Sequence, residues 1–417
     1  MVPELPPGGV VTEAACLSCG SEQLEVVLSL GKMPLANALL TAEQLTEPEP
    51  RYPLDLAFCR SCALVQITEV VPPEELFGEY AYFSSYSSTM LSHAESIVGR
   101  LLVERSLGPG SLAMEIASND GYLLQNYVAA GVPVLGIEPA RNIAPAAEAR
   151  GVTTVCDFFG LELAEEFRER GQLADVLHAN NVMAHVPDLN GVLRGIARVL
   201  SPGGVAVVET PYVRDLVERL EFDTIYHEHL SYYSLTSLDR AFRRNGLSVV
   251  GVERIPIHGG SLRVFAEAGD APPAGEVARL LAEERDLGMD RLDYFLGFAA
   301  RVDDLRERLR DLLAGLKSQG HRIAAYGAAA KGATLLNACE IGAETIDFVA
   351  DRSEYKQGRF MPGVHLPVVA PSRLLEDAPD DVLLLTWNFA DEILEQQAAY
   401  RAQGGRFVIP VPEPRIV

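Results

Sequence analysis

Residues Ser111–Gly131 read SLAMEIASNDGYLLQNYVAAG. An apolar run ends at Ile116, a turn of small and polar residues follows, and apolar residues then recur at helical spacing. This predicts a buried strand, a tight turn and a helix. Val132–Ala140 (VPVLGIEPA) reads as a second strand, ending at Glu138. Ala174–Val186 (ADVLHANNVMAHV) and Gly203–Tyr212 (GGVAVVETPY) repeat the pattern of an apolar core with a polar tip. Strands alternating with helices form a parallel sheet covered on both faces. Ligands bind such sheets at the carboxyl ends of the strands. Gly246–Ile255 and Ser261–Gly269 flank PIHGG, whose Gly259-Gly260 pair suggests a hairpin return. The expectation is an antiparallel edge on an otherwise parallel sheet.

The turn carries the first functional signal. Small side chains let a ligand approach the backbone, so Glu115, Ala117, Asn119 and Gly121 are candidate cofactor contacts. Glu138 ends the next strand, where a carboxylate can accept both hydroxyls of a ribose. Ala117 stands where a nicotinamide fold needs glycine, and no GxGxxG is present. That favours S-adenosylmethionine over a dinucleotide; the alternative is an α/β turn with no ligand. Asp157 in VCDFF can meet an adenine amine or serve as a helix-start acid. Tyr80–Ser88 (YAYFSSYSS) can cap the donor site, through Tyr80 and Ser84, and reach substrate through Tyr82. Its bland reading is a helix start with Ser87 or Ser88 as N-cap.

The chain has 417 residues, too many for one core, with 48% hydrophobic residues and a net charge of −23. Such an acidic surface repels nucleic acid and anionic membranes. No apolar run approaches the roughly 20 residues that span a bilayer. The N-terminus lacks a basic region followed by an apolar one, so a cytoplasmic protein is expected.

Six cysteines occur, four of them as Cys16-x-x-Cys19 and Cys59-x-x-Cys62. Two such knuckles can place four thiolates around one structural zinc. The alternative is two reduced or redox-active pairs. Beyond residue 272 comes long helical patterning, a spacer in appearance, and from about 320 a second strand-turn-helix series. There YGAAAKGA (326–333) is a small-residue turn before a helix, and such a turn attracts phosphate. Lys331, one of the chain's few lysines, adds charge; Lys356 and Arg359 follow Asp351. The alternative is an abandoned nucleotide site. The partition expected is 1–75, 76–271 and 272–417.

Thr224–Ser234 (TIYHEHLSYYS) packs Tyr226, His227, Glu228 and His229 into consecutive positions, using two of the eight histidines. It can be a base, a metal site or a structural loop. The metal reading is weak, because no third ligand is spaced as in HExxH.

The order of the cysteine knuckles, EYAYFSSYSST, EIASNDGYLL, GIEPA, ANNVMAHVPDL, IYHEHLSYYSL and YGAAAKGATLL resembles the sugar C-methyltransferases of antibiotic deoxysugar biosynthesis, across essentially the whole chain. The resemblance implies a class I, Rossmann-like S-adenosylmethionine methyltransferase domain. A small N-terminal zinc module and a C-terminal α/β Rossmann-like domain flank it. It implies methylation of a thymidine-diphosphate-linked 4-keto sugar at carbon, with C-3 preferred and C-5 the alternative. His229 then matches the base, Tyr226 and Glu228 its neighbours, and Asn181 and His185 the sugar pocket. Part of the nucleotide pocket falls between the two α/β domains. A monomer is expected, with no nucleic-acid or membrane partner. Two rivals are a dinucleotide-dependent oxidoreductase using the C-terminal turn and a non-catalytic binding module.

Overall fold

The computed structural model describes residues 14–72 and 84–417; Tyr80 and Tyr82 lie outside these. The N-terminal module contains β1 (Leu24–Met33), β2 (Tyr52–Cys59) and β3 (Val65–Ile67), paired antiparallel in that order. Each cysteine knuckle closes on a residue in the left-handed region: Gly20 at φ 71° and Ala63 at φ 62°. Glycine takes that conformation freely, whereas alanine is strained there.

The central domain contributes β4 (Ala113–Ile116), β5 (Val134–Ile137), β6 (Thr154–Val155), β7 (Ala174–Asn180), β8 (Leu200–Pro211), the short β9 (Ser231–Tyr232), β10 (Leu247–Ile255) and β11 (Ser261–Ala268). Seven of these form one sheet in the order β10-β11-β8-β7-β4-β5-β6. All four residues of β4 are buried, as a strand covered on both faces requires. The crossover order reverses between β4 and β7, so their carboxyl ends frame the crevice where ligands bind. The expected antiparallel edge needs correction. The reversed strand is β11, inserted between β8 and β10 and antiparallel to both. The edge strand β10 therefore runs with the rest. The hairpin itself forms, with Gly260 at φ 134° against Asp215.

Strand β9 leaves its own domain. It pairs with β3 (Val65 with Tyr232, Gln66 with Ser231) and completes a four-stranded sheet on the N-terminal module.

The helices Gly275–Leu287 and Phe298–Ser318 are more than a spacer. Glu284, fully buried, accepts from Tyr212 Oη at 2.8 Å and from the amides of Leu235 and Thr236 at 2.7 Å, capping the helix Leu235–Arg244. Phe295 packs on Phe58 of β2 with ring centroids 5.0 Å apart. These segments join the N-terminal and central modules into one core.

The C-terminal domain holds β12 (Ile323–Tyr326), β13 (Val349–Ala350), β14 (Val368–Val369), β15 (Asp381–Leu384), β16 (Arg406–Ile409) and β17 (Arg415–Ile416), in the order β14-β13-β12-β15-β16-β17. Its order reverses between β12 and β15, which again puts a ligand crevice at their carboxyl ends. Lys331 and Trp387 follow those two ends. A bridge from Leu40 to Phe360 ties this domain to the N-terminal module.

Candidate active site

The turn after β4 is held open by unusual backbone. Ala117 (φ 54°), Asn119 (φ 49°) and Gly121 (φ 77°) are all left-handed, as is Asn181 (φ 56°) after β7. Three of these are not glycine, and strain of this kind clusters at ligand sites. A Cβ on Gly121 would lie 3.0 Å from Val152 and 3.2 Å from the Ala147 backbone. Glu138 accepts from the amides of Asn119 at 2.9 Å and Ala140 at 2.8 Å. Asn119 Oδ1 in turn accepts from the Ser84 amide at 2.9 Å, so Ser84 sits on the turn. Ser87 is the N-cap of the helix Ser88–Glu104, accepting from the Met90 amide.

Burial, and next the charge of Glu138, pushes the Glu115 carboxyl well above its ordinary range. Among the described residues, four buried oxygens at the ends of β4 and β7 have no hydrogen-bond partner: Glu115 Oε2, Ser118 Oγ, Asn180 Oδ1 and Asn181 Oδ1. Orphaned polar atoms are costly in a protein interior. A polar ligand at the β4/β7 crevice satisfies them, which fits S-adenosylmethionine. Asp157 is exposed past β6, beside Phe158 at 62% exposure.

Tyr226–His229 is a tight turn, with the His229 amide donating to Tyr226 O at 2.8 Å. It sorts the consecutive side chains into two pairs. Tyr226 and His229 are half-buried and stack, with ring centroids 4.1 Å apart. His227 and Glu228 are buried against the N-terminal module: His227 Nε2 donates to Pro53 O at 3.1 Å, and Asn37 Nδ2 donates to Glu228 Oε1 at 2.7 Å. Burial raises the Glu228 carboxyl to about 7.

The tautomer of His229 follows from its partners. Nδ1 lies 2.9 Å from the Thr224 carbonyl, which can only accept. The proton therefore sits on Nδ1, and Nε2 carries the lone pair. Nε2 accepts from the Tyr226 hydroxyl at 2.9 Å. This is an imidazole arranged as a proton acceptor, with a phenol on the accepting atom. The His185 ring stands edge-on to it at 4.8 Å. Burial lowers His185 to about 4, so it is a neutral imidazole. The Asn181 amide donates to Glu209 O at 2.8 Å, fixing the strand end beside it.

Across from β8, the C-terminal turn supplies a second set of groups. A cavity of about 310 Å³ is lined by Arg219, Glu221, Trp387, Asn388, Pro412 and Arg415, among others. Lys331 Nζ lies 3.9 Å over the Trp387 ring and donates to Asn388 Oδ1 at 3.0 Å. Lys356 Nζ donates to the Ala328 carbonyl at 2.8 Å, on the same 326–333 turn that carries Lys331. Arg359 is exposed, with its charge felt at Glu43 of the N-terminal module.

The sulfurs of Cys16, Cys19, Cys59 and Cys62 lie within 4.8 Å of one another. Cys16 and Cys62 are 3.4 Å apart, and Cys19 and Cys59 are 3.6 Å apart. A tetrahedral zinc with bonds of about 2.3 Å separates its sulfurs by about 3.8 Å, so the cluster fits that ion. Four thiolates leave no open position, which makes the zinc structural. Among the described residues no other group of three or more histidine, cysteine or acidic side chains is clustered closely enough to hold a metal.

Sequence reasoning overlooked Thr224, Asn37, Asp223 and Trp387. Thr224 acts through its backbone and the other three across modules, and no local pattern marks them.

Three family models match the chain in series: a zinc binding domain over 16–77, a methyltransferase domain over 90–252 and a C-methyltransferase C-terminal domain over 256–412. C-methyltransferase NovU of Streptomyces niveus is 40% identical over 405 residues, 96% of this chain and 96% of that protein. Solved structures with similarity include the PH0226 protein of Pyrococcus horikoshii OT3, at 15% identity, 46% of this chain, 98% of that chain and TM-score 0.37. Another is magnesium protoporphyrin IX methyltransferase of Synechocystis PCC 6803, at 15% identity, 43% of this chain, 79% of that chain and TM-score 0.33. The chain belongs to the zinc-bearing, S-adenosylmethionine-dependent C-methyltransferases.

Proposed function

We propose that this C-methyltransferase acts on a thymidine-diphosphate-linked 4-keto deoxysugar, at C-3, in antibiotic deoxysugar biosynthesis. The single observation that carries the reading is the His229 tautomer, with Nδ1 tied to Thr224 O and the Nε2 lone pair on the Tyr226 hydroxyl. Carbon methylation needs a carbanion, and an accepting imidazole beside a keto sugar supplies one.

As the Tyr226 hydroxyl turns from His229 Nε2 to the keto oxygen, the freed Nε2 lone pair takes the proton from the carbon next to the keto group, and the bond electrons move toward the keto oxygen as an enolate. The Tyr226 hydroxyl and the neutral His185 are the nearest donors for that oxyanion. A neutral imidazole suits this task, because it donates without first giving up a full positive charge. Asn181 completes the sugar pocket, and Glu228 anchors the His229 turn on the N-terminal module. When bound, S-adenosylmethionine supplies the methyl group and departs as the neutral thioether. Glu138 holds its ribose, Glu115 to Gly121 its methionine portion, and Asp157 its adenine. The diphosphate lies in the interdomain cavity, against Arg219 and Arg415, with the charge of Lys331 added from behind Trp387. The working unit is one chain in the cytoplasm.

The experiment is solvent deuterium exchange into a panel of thymidine-diphosphate keto sugars with the donor omitted. Exchange at C-3 that vanishes in His229→Asn is expected. Exchange at C-5 moves the methylated carbon. No exchange and no methyl transfer across the panel overturns the substrate class.

A further inference from the structure

The chain's single tryptophan lies in the C-terminal domain, yet its indole N–H is spent on the central one. Trp387 Nε1 donates to Asp223 Oδ2 at 2.7 Å. Asp223 is fully buried in the short helical turn Phe222–Thr224, and its other oxygen, Oδ1, has no hydrogen-bond partner. Lys331 completes the pairing from the C-terminal side, holding the Trp387 ring from 3.9 Å and lending its charge to Asp223. The turn that carries Asp223 is closed by its backbone, with the Ile225 amide donating to Phe222 O at 3.0 Å and the Thr224 amide donating to Glu221 O at 3.1 Å. The Thr224 carbonyl, on the same residue, fixes the Nδ1 proton of His229 at 2.9 Å. A path thus runs from the C-terminal domain to the imidazole: indole to carboxylate, along the backbone from Asp223 to Thr224, and carbonyl to Nδ1.

We propose that Trp387 is a positioning residue for His229, acting through Asp223 and the Thr224 peptide to keep the imidazole proton on Nδ1 and the lone pair on Nε2. The logic is that of a metal- or triad-bound histidine, whose outer partner selects which nitrogen is free. Here the outer partner is a backbone carbonyl. A carbonyl orients only as well as its turn is held, and this turn is pinned at Asp223 by a donor from another domain. The C-terminal domain therefore sets the readiness of a base that it does not touch. With Nε2 the accepting nitrogen, a misplaced Thr224 carbonyl lets the proton move to Nε2 and occupy the reacting site.

The mechanistic importance rests on His229 being the base, so the test reads the tautomer separately from turnover. Trp387→Phe keeps an aromatic ring beneath Lys331 and removes only the indole donor; Asp223→Asn is the companion should the first variant fold poorly. In 15N-imidazole-labelled protein, the resonances of His229 distinguish the protonated nitrogen from the free one. His229→Asn identifies them by their disappearance. The expected result is a wild-type spectrum of the Nδ1–H form and a mixed or inverted one in the variants. Turnover falls about 10- to 100-fold, the scale of an ångström-sized misplacement, with S-adenosylmethionine affinity held within about twofold. Unchanged His229 resonances in a folded variant overturn the positioning role. Shifted resonances with undiminished turnover uphold it and instead overturn His229 as the base.

Discussion

Asn37 Nδ2 donates to Glu228 Oε1 at 2.7 Å, joining residues 191 positions apart in the chain. One belongs to the zinc module and the other to the turn that carries His229. The contact sits beside the β3–β9 pairing and the His227 bond to Pro53. The turn is thus clamped at three points by a module that contributes none of the sulfur-methyl chemistry.

Asn37→Ala removes the donor and leaves a buried carboxyl without a partner. Such a loss costs about 1–3 kcal/mol. For a chain of this size we expect a fall in Tm of a few degrees, read by calorimetry, and a lower turnover without loss of zinc. An unchanged Tm would mean that water replaces the amide at no cost.

Glu228 also gives the stability curve a slope. Its carboxyl stands at about 7 in the folded protein against an ordinary 4.5, because burial disfavours the charge. Between these values the folded state binds more protons than the unfolded one, so stability falls as pH rises. The contribution is full below about pH 4.5 and gone above about pH 7, worth at most about 3 kcal/mol. Glu228→Gln should lose this slope, and denaturant titrations of both proteins from pH 5 to 8 should converge at the acid end. Parallel curves would sink the claim.

His229→Asn keeps size and polarity but removes the accepting nitrogen. Turnover should drop by about 10²–10⁴, as for loss of a general base. Binding of S-adenosylmethionine by calorimetry should stay unchanged. Near-normal turnover would hand the role to Tyr226.

Cys59→Ser opens the tetrathiolate. Zinc per chain should fall to near zero, and hydrogen exchange should quicken over residues 226–232 as well as in β1–β3, because β9 has lost its partner strand. Turnover falls with it. Exchange that quickens only within the first 72 residues would separate zinc from the catalytic turn.

Gly121→Ala places a methyl group 3.0 Å from Val152 at a φ of 77°. Strain and crowding together should cost about 1–3 kcal/mol and weaken S-adenosylmethionine binding more than sugar-nucleotide binding. Equal weakening of both would mean that the turn serves the whole crevice.

The strand-turn-helix at Ser111–Gly131 announced the parallel sheet and its cofactor crevice, because strands buried on both faces and small-residue turns leave local marks. The paired knuckles announced zinc for the same reason: their spacing is the geometry. The inserted strand β11 was misplaced at the edge, since a hairpin fixes which strands are antiparallel but not which one lies outside. The partner of β9 was invisible. A two-residue strand has no period, and its mate lies over 160 positions away. Thr224 escaped notice because it acts through a carbonyl that every residue owns. Trp387 and Asn37 escaped because their contacts cross from one module to another. What the chain writes locally is the scaffold; what orients the imidazole is written in distances that only folding creates.

The borrowed strand bears on how the protein is born. The four zinc-site cysteines all precede Tyr232 by 170 residues or more, so the metal can be captured before that strand is made. The sheet above it, however, stays one strand short until Tyr232 leaves the ribosome. At cellular rates of about 5–20 residues per second that wait is roughly ten to thirty seconds. Throughout it the Val65–Ile67 edge is bare, inviting a chaperone or a neighbouring nascent chain to take the empty place.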